Sequence, residues 1–415
     1  MYPSVRNLPG SGKRQPKAGR IGANVFLLGL VSLFTDLSQE MVTAILPLYL
    51  TVQLGLGALG FGIIEGASQG ATALVRLLGG VMADRRGRYK EVAASGYGLS
   101  AVCKLGLLAS SGAWAPTTGF LLVDRLGKGI RTAPRDALIS LSADPRALGR
   151  AFGVHRALDT AGALLGPLAA FVVLAQIPRG FNTIFVLSSC AAIIGFAILI
   201  LFVRNPVASE PIVPVRPRTS LRDALALFRR RRFKAIVVAG AALGLMTVSD
   251  AFVYLVLQRN ADLDVRWFPL LFLGTASTYL VLAVPLGRLA DAIGRGRVFL
   301  GGYAVLILLY GLLLHADPGI LLVLSCLALL GTYYAATDGV LMALAGSTIP
   351  DAVRSSGYGI VTTATALTRF GSSLAFGAVW AVLGPAAAVR AFLIGLVIVF
   401  PLAAIVLRQS QGAEA

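Results

Sequence analysis

The eleven residues Gly80-Val81-Met82-Ala83-Asp84-Arg85-Arg86-Gly87-Arg88-Tyr89-Lys90 return 207 positions later as Gly287-Arg288-Leu289-Ala290-Asp291-Ala292-Ile293-Gly294-Arg295-Gly296-Arg297. Glycine, Ala-Asp, Gly-Arg and a terminal base stay in register across half of the 415-residue chain. The first copy stands between apolar runs at 61–81 and 92–109. A charge cluster this tight, between two membrane-length segments, has to be a short loop at a membrane surface. The chain therefore reads as a duplication, with this loop at the equivalent point of each half.

Composition sets that loop against lipid. Hydrophobic residues make up 56% of the chain, charged residues 13%, and the mean hydropathy is +0.79, whereas soluble proteins carry about 25% charged residues. The net charge of +18 is not spread over a soluble face, so no nucleic-acid partner is expected. It collects between the apolar runs, where an excess of Lys and Arg marks the cytoplasmic side. Cys103, Cys190 and Cys326 sit singly in apolar segments without metal-ligand spacing; they read as helix filler, and neither a metal nor a cofactor is expected. The first apolar run ends without a small-residue cleavage site and is kept as a spanning helix rather than a signal peptide.

A hydrocarbon core of about 30 Å needs about 20 apolar residues per helix. Twelve spans are predicted, near 22–50, 59–82, 92–110, 117–138, 150–175, 181–203, 233–258, 267–290, 298–314, 320–343, 355–380 and 386–407. Taking the connections alternately tests that count. One set holds the basic N-terminal arm, Arg85 to Lys90, Arg146 to Arg150, the 204–234 stretch, Arg288 to Arg297, Arg354 and Arg408. The other holds little beyond Arg179, Arg259, Arg266, His315 and Arg390. The asymmetry requires an even number of spans with both termini cytoplasmic. Residues 1–20 then form a basic arm, 21–203 and 233–408 the two halves, 204–232 a cytoplasmic linker, and 409–415 a tail. The linker's Arg229-Arg230-Arg231-Arg232 suits anionic lipid head groups, although topology alone accounts for it.

Ionisable groups inside spans face a cavity, pair with one another, or carry function. Span 1 holds Asp36 and Glu40 on one helical face. Span 2 holds Glu65 and Arg76, and span 5 holds His155, Arg156 and Asp159. Span 4 is densest: Asp124, Lys128, Arg131 and Arg135 form one stripe at helical spacing, with Arg125 at its flank. The second half offers Asp250, Asp338 and Arg369. Spans 1, 4 and 5 must therefore turn charged faces toward a shared interior, because lipid cannot solvate them. Acids and bases roughly balance, so the basic stripe does not by itself imply an anionic substrate. A carboxylate beside a histidine in a low-dielectric cavity is readily tuned to titrate near neutrality, which suits proton coupling. The alternative is a static salt-bridge network.

Gly80, Asp84, Arg85, Gly87, Arg88 and Lys90 resemble the loop between the second and third helices of the major facilitator superfamily, roughly G-x-x-x-D-R-x-G-R-R/K. The second copy keeps Gly287, Asp291, Gly294 and Arg295 but has Ala292 where the first arginine would stand. Arg125-Leu126-Gly127-Lys128-Gly129 resembles the family's span-4 pattern R-x-x-x-G, whose arginine is associated with proton movement. Gly162-Ala163-Leu164-Leu165-Gly166-Pro167 resembles the span-5 G-x-x-x-G-P signature of proton-driven exporters. Asp36 to Pro47 follows the exporter pattern of span 1 only loosely, with the proline displaced by two.

The resemblance implies an all-α polytopic membrane protein, with twelve transmembrane helices in two pseudo-symmetric six-helix bundles working by alternating access. It implies secondary active transport, with proton-coupled export of a small organic solute ahead of proton-coupled import. A polytopic membrane enzyme is the more distant reading, since the loops show no nucleophile-histidine-acid set and no phosphate-binding glycine loop. The expected setting is the cell (inner) membrane, as a monomer, with a small-molecule substrate, protons and lipids as partners. Proton coupling is expected of Asp36, Glu40, Arg125, His155 and Asp159. The substrate cavity is expected to use Lys128, Arg131, Arg156, Asp250, Tyr254, Tyr279, Tyr333 and Tyr334, with Phe252 and Phe370 on its apolar wall. The Asp84 loop is expected to latch against the start of span 11 near 354–357, and Gly162, Gly166 and Pro167 to set helix packing.

Overall fold

The structure, a computed structural model, describes residues 22–68, 70, 75, 88–110, 112–143, 148–205, 226–315, 319–350 and 354–412. Every element among them is helical, as a bilayer demands of a backbone that has no water to bond. Spans 1 to 6 are Ala23–Leu48, Ala58–Ser68, Tyr89–Ala109, Trp114–Ser142, Leu148–Gln176 and Phe181–Leu201. Span 7 is split into Arg231–Leu245 and Asp250–Asn260. Spans 8 to 12 are Phe268–Ile293, Arg295–Leu313, Ile320–Gly346, Arg354–Leu383 and Pro385–Gly412. Among the described residues, ten helices are long and apolar enough to cross a membrane. Span 2 is described over too short a stretch to qualify, and span 4 carries too many charges. Large apolar side chains such as Leu321, Val281 and Val382 face outward, as helices solvated by lipid require.

Spans 1, 3, 4, 5 and 6 pack on one another in the first half, with span 1 laid along spans 5 and 6, and span 3 along span 4. Spans 7 to 12 do the same in the second half, with span 10 between 8 and 9 and span 12 against 7 and 9. The halves meet between spans 5 and 8 and again at the face opposite the 88–90 and 204–205 connections. There Phe61 of span 2 stands edge-on to Phe252 of span 7 at 4.9 Å, and Phe252 continues to Phe376 and Trp380 of span 11. Such pairs contribute about 0.5–1.5 kcal/mol each beyond their burial.

Beneath these rings the two backbones touch. A Cβ on Gly62 would collide with the Ser373 carbonyl, and one on Gly377 would lie 2.6 Å from that of Ala58. Only glycine permits so close a helix contact. One end of the interface between halves is therefore closed by rings and bare backbone.

Two deviations from straight helices were not legible in the hydropathy pattern. Span 1 loosens after Pro47 into a π-turn over Tyr49–Gln53, where the proline ring removes a ladder donor. Span 7 breaks at residues 246–249. The break exposes helix-end groups that lipid cannot satisfy, and neighbouring side chains supply the partners. Tyr310 of span 9 accepts from the Val248 amide at 2.7 Å and donates to the Met246 carbonyl at 3.2 Å, while Ser372 of span 11 donates to the Thr247 carbonyl.

Candidate transport cavity and buried charge network

Between the halves, on the basic-connection side of the aromatic closure, lies a cavity of about 690 Å³, a size suited to a small solute. Arg125 and Lys128 of span 4 form its charged wall in the first half, with Ser68 of span 2 nearby. The opposite wall comes from spans 7, 9, 10 and 11: Thr247, Phe299, Tyr303, Tyr333, Thr337, Asp338, Tyr358, Thr362, Thr365 and Arg369. Asp338 and Arg369 pair at 3.2 Å with about half of each side chain exposed, so the cavity reaches solvent.

Behind the first-half wall, span 4 is tied to its neighbours residue by residue. Asp124 and Lys104 of span 3 form an ion pair at 3.0 Å, with 1% and 2% of their side chains exposed. Gln39 of span 1, in the amide orientation that satisfies both neighbours, donates to Asp124 Oδ2 at 3.0 Å and accepts from Arg125 Nη1 at 3.2 Å. Arg125 also donates to Thr43 at 3.4 Å. Arg131 donates to Ser100 at 2.9 Å and lies over the Tyr97 ring. Gly96 and Gly127 make this possible, because each backbone occupies the space where the other's Cβ would stand.

One turn further along, Arg135 bonds Asp136 at 3.0 Å and reaches Asp159 of span 5 at 3.6 Å, an ion-pair distance too long for a hydrogen bond. Asp159 also pairs with Arg156 at 3.3 Å. His155 is buried, its Nε2 at 2.8 Å from Ser32 Oγ of span 1. Asp36 of span 1 and Asp159 act on one another electrostatically. Lys128 acts on Asp36 electrostatically, which links the cavity wall to the acids behind it.

Spans 1 and 5 can bring these groups together because Gly162 and Gly166 let span 5 lie directly on the span-1 backbone. A Cβ on Gly166 would stand 2.7 Å from Glu40 Cβ and 2.9 Å from Met41 N, and one on Gly162 would collide with Leu33 O. Pro167 follows, buried inside the helix.

Two bundles of membrane-spanning helices, closed at one end around a solvent-reaching polar cavity, define a secondary transporter. The major facilitator superfamily model matches residues 28–373, and the chain belongs to that superfamily. It is 32% identical over 372 residues to an uncharacterized MFS-type transporter of Methanocaldococcus jannaschii, covering 87% of this chain and 89% of the relative. An uncharacterized protein of Mycobacterium tuberculosis is 34% identical over 151 residues, 36% of either chain. Among solved structures, the nucleoside transporter NupG superposes with a TM-score of 0.78 at 17% identity, covering 92% of this chain and 99% of that one. The POT family transporter PepTSo gives 0.75 at 14% identity, covering 94% and 99%.

The expected residues separate into groups. Lys128, Arg125 and Tyr333 line the cavity, as do Asp338 and Arg369, which sequence reading singled out for their charge. Asp36, His155 and Asp159 gather behind the first-half wall, and Glu40 lies at the contact between spans 1 and 5. Asp250 and Tyr334 line a small adjoining pocket that shares Arg369. Tyr254 packs against Phe268 and Phe272, Phe252 belongs to the aromatic closure, and Tyr279 and Arg131 lie outside the cavity lining. Arg156 turns its guanidinium to solvent, 65% exposed. Gly80, Asp84, Arg85 and Gly87 lie outside the described residues, as does Arg76. Arg88 is exposed, while Asp291 bonds Arg295 at 3.0 Å and Arg295 also donates to the Ala343 carbonyl. Gly294 turns the chain at φ +107°, and Gly287 faces open space. Sequence reading missed Lys104 and Gln39. A lysine inside an apolar run was itself the signal, whereas a lone glutamine gave none.

Proposed function

We propose that the chain is a proton-coupled transporter that carries a small organic solute through the 690 Å³ cavity by alternating access. The observation that carries this reading is the buried network of Asp159 with Arg135 and of His155 with Ser32, close to Asp36 and behind a cavity wall that carries Lys128. Asp36 is the first choice for the proton carrier, by its place at the centre of the network, and Asp159 the second. Arg125 and Arg135 position the acids through Gln39 and Asp159. We further propose units at 21–203 and 233–408 joined by 204–232, both termini in the cytoplasm of the cell (inner) membrane, a monomeric carrier touching lipid and protons, and no catalytic step. On that orientation the described state opens to the cytoplasm.

The span-5 pattern, with Gly162 and Gly166 on the span-1 backbone, supports export. A second reading, uptake of solute together with a proton, is supported by Lys128. Protonating Asp36 removes the charge that Lys128 answers, and leaves the ammonium for whatever enters the cavity. Sealed right-side-out and everted vesicles, each with and without an imposed proton gradient, test both. Accumulation of solute against its gradient only when protons run the opposite way supports export; accumulation only when they run with it supports uptake. Transport indifferent to the proton gradient sinks the coupling.

A further inference from the structure

The bases of the cavity differ in how fully they are already engaged. Arg369 pairs with Asp338 at 3.2 Å and lines the adjoining pocket together with Asp250. Arg125 is held by Gln39 and Thr43. Lys104, Arg131 and Arg135 are committed to Asp124, Ser100 and Asp159 away from the cavity. Lys128 lines the cavity and, among the described residues, has no carboxylate within ion-pair distance of its ammonium. Asp36 acts on it from further away. Among the described residues the lining thus holds three bases against one acid, and that acid is paired with Arg369.

An ammonium facing a solvent-reaching, low-dielectric cavity attracts anions and repels cations. The facing wall is of another kind. Tyr303, Tyr333 and Tyr358 give ring faces and hydroxyls, and Thr337, Thr362 and Thr365 give hydroxyls whose own protons go to backbone carbonyls in their helices for Thr337, Thr362 and Thr365 alike. Those threonine oxygens are left as acceptors. With Asp338 and Arg369 on that wall already paired with each other, these groups suit the body of a solute rather than its charge.

We propose that the cavity takes a small organic anion, a carboxylate or a phosphate monoester, with its acid group on Lys128 flanked by Arg125 and its body against the tyrosine and threonine wall. The inference rests on the reading of this cavity as the solute site. It also bears on direction. A proton on Asp36 and an anion on Lys128 favour each other, so the two load from the same side, and uptake gains over export.

The test is binding to the purified full-length chain, with probes that share one ring and differ in charge. Benzoate and phenyl phosphate are the anions, benzamide the neutral counterpart and benzylamine the cation. At least one anion should bind in a saturable way and raise the unfolding temperature with dose, while benzamide and benzylamine bind at least tenfold more weakly. Lys128→Gln should weaken the anion on the order of tenfold, equivalent to ~1.4 kcal/mol, and Lys128→Arg should retain it. Unliganded melting of each variant reports whether it folds. Preference for benzylamine, no binding of either anion, or anion binding unchanged in folded Lys128→Gln overturns the proposal. Thr362→Trp, which fills the cavity from the opposite wall, separates the two levels. Anion binding lost in Thr362→Trp but kept in Lys128→Gln sinks the anion site and leaves the cavity standing. Binding kept in both sinks the cavity reading itself.

Discussion

The two walls of the cavity hold polar groups inside a membrane by different means. The first-half wall is built from full charges that answer one another across helices: Lys104 with Asp124, Gln39 with Asp124 and Arg125, Arg135 with Asp159. The second-half wall carries a single ion pair in the cavity lining, Asp338 with Arg369, among the described residues, and is otherwise built from neutral groups around a broken helix, with Tyr310 and Ser372 bonding the bare backbone of span 7 and Thr247 bonding Tyr333. A charge network resists rearrangement, because moving one member strands another in low dielectric. A neutral network loses far less when one bond opens. The first half is thus suited to keep its geometry, and the second to rearrange.

The sharpest way to break that contrast is to remove one member of the most buried pair. Lys104→Met should cost about 3–5 kcal/mol, because Asp124 is left charged and unanswered, while Lys104→Met with Asp124→Leu should recover most of the loss. Thermal unfolding in detergent reads it, and a single variant as stable as the parent would mean the pair is not buried as described.

Next comes Asp36, the proposed proton carrier. Asp36→Asn should abolish accumulation of solute driven by a proton gradient while leaving exchange of solute across the membrane. If the variant still concentrates solute in sealed vesicles, Asp36 is not the carrier and the test passes to Asp159.

A smaller effect is expected where the halves close. Valine at Gly62 cannot fit beside the Ser373 carbonyl, so Gly62→Val should open the aromatic end. A cysteine placed at Val52, an exposed position of the connection between spans 1 and 2, serves as a control that should label equally in either background. A cysteine at Phe252 should label faster in Gly62→Val, and equal rates would mean that the contact does not hold the closure.

The smallest effect sharpens the second-half wall. Tyr333→Phe removes a hydroxyl from the cavity and should raise the half-saturating solute concentration about fivefold, the worth of about 1 kcal/mol of hydrogen bonding. Tyr254→Phe, packed away from the cavity against Phe272, should leave it unchanged. Equal effects would show that the cavity lining does not decide affinity.

The repeated loop, the apolar run lengths and the intramembrane charges were enough to settle membrane class, duplication and the crowding of spans 1, 4 and 5 around a shared interior. These properties are local: each follows from what a lipid core does to a helix of that composition, whatever its neighbours. Which charge answers which was not legible, because Lys104 and Asp124 are 20 positions apart and Asp36 and Asp159 over a hundred, and only helix packing brings them together. The same limit applies to the tyrosines. Tyr254 and Tyr333 have similar apolar settings along the chain, yet helix rotation sends one into the core and the other to the cavity. The break in span 7 is likewise tertiary, since its backbone groups survive in lipid only because Tyr310 and Ser372 arrive from other helices to bond them.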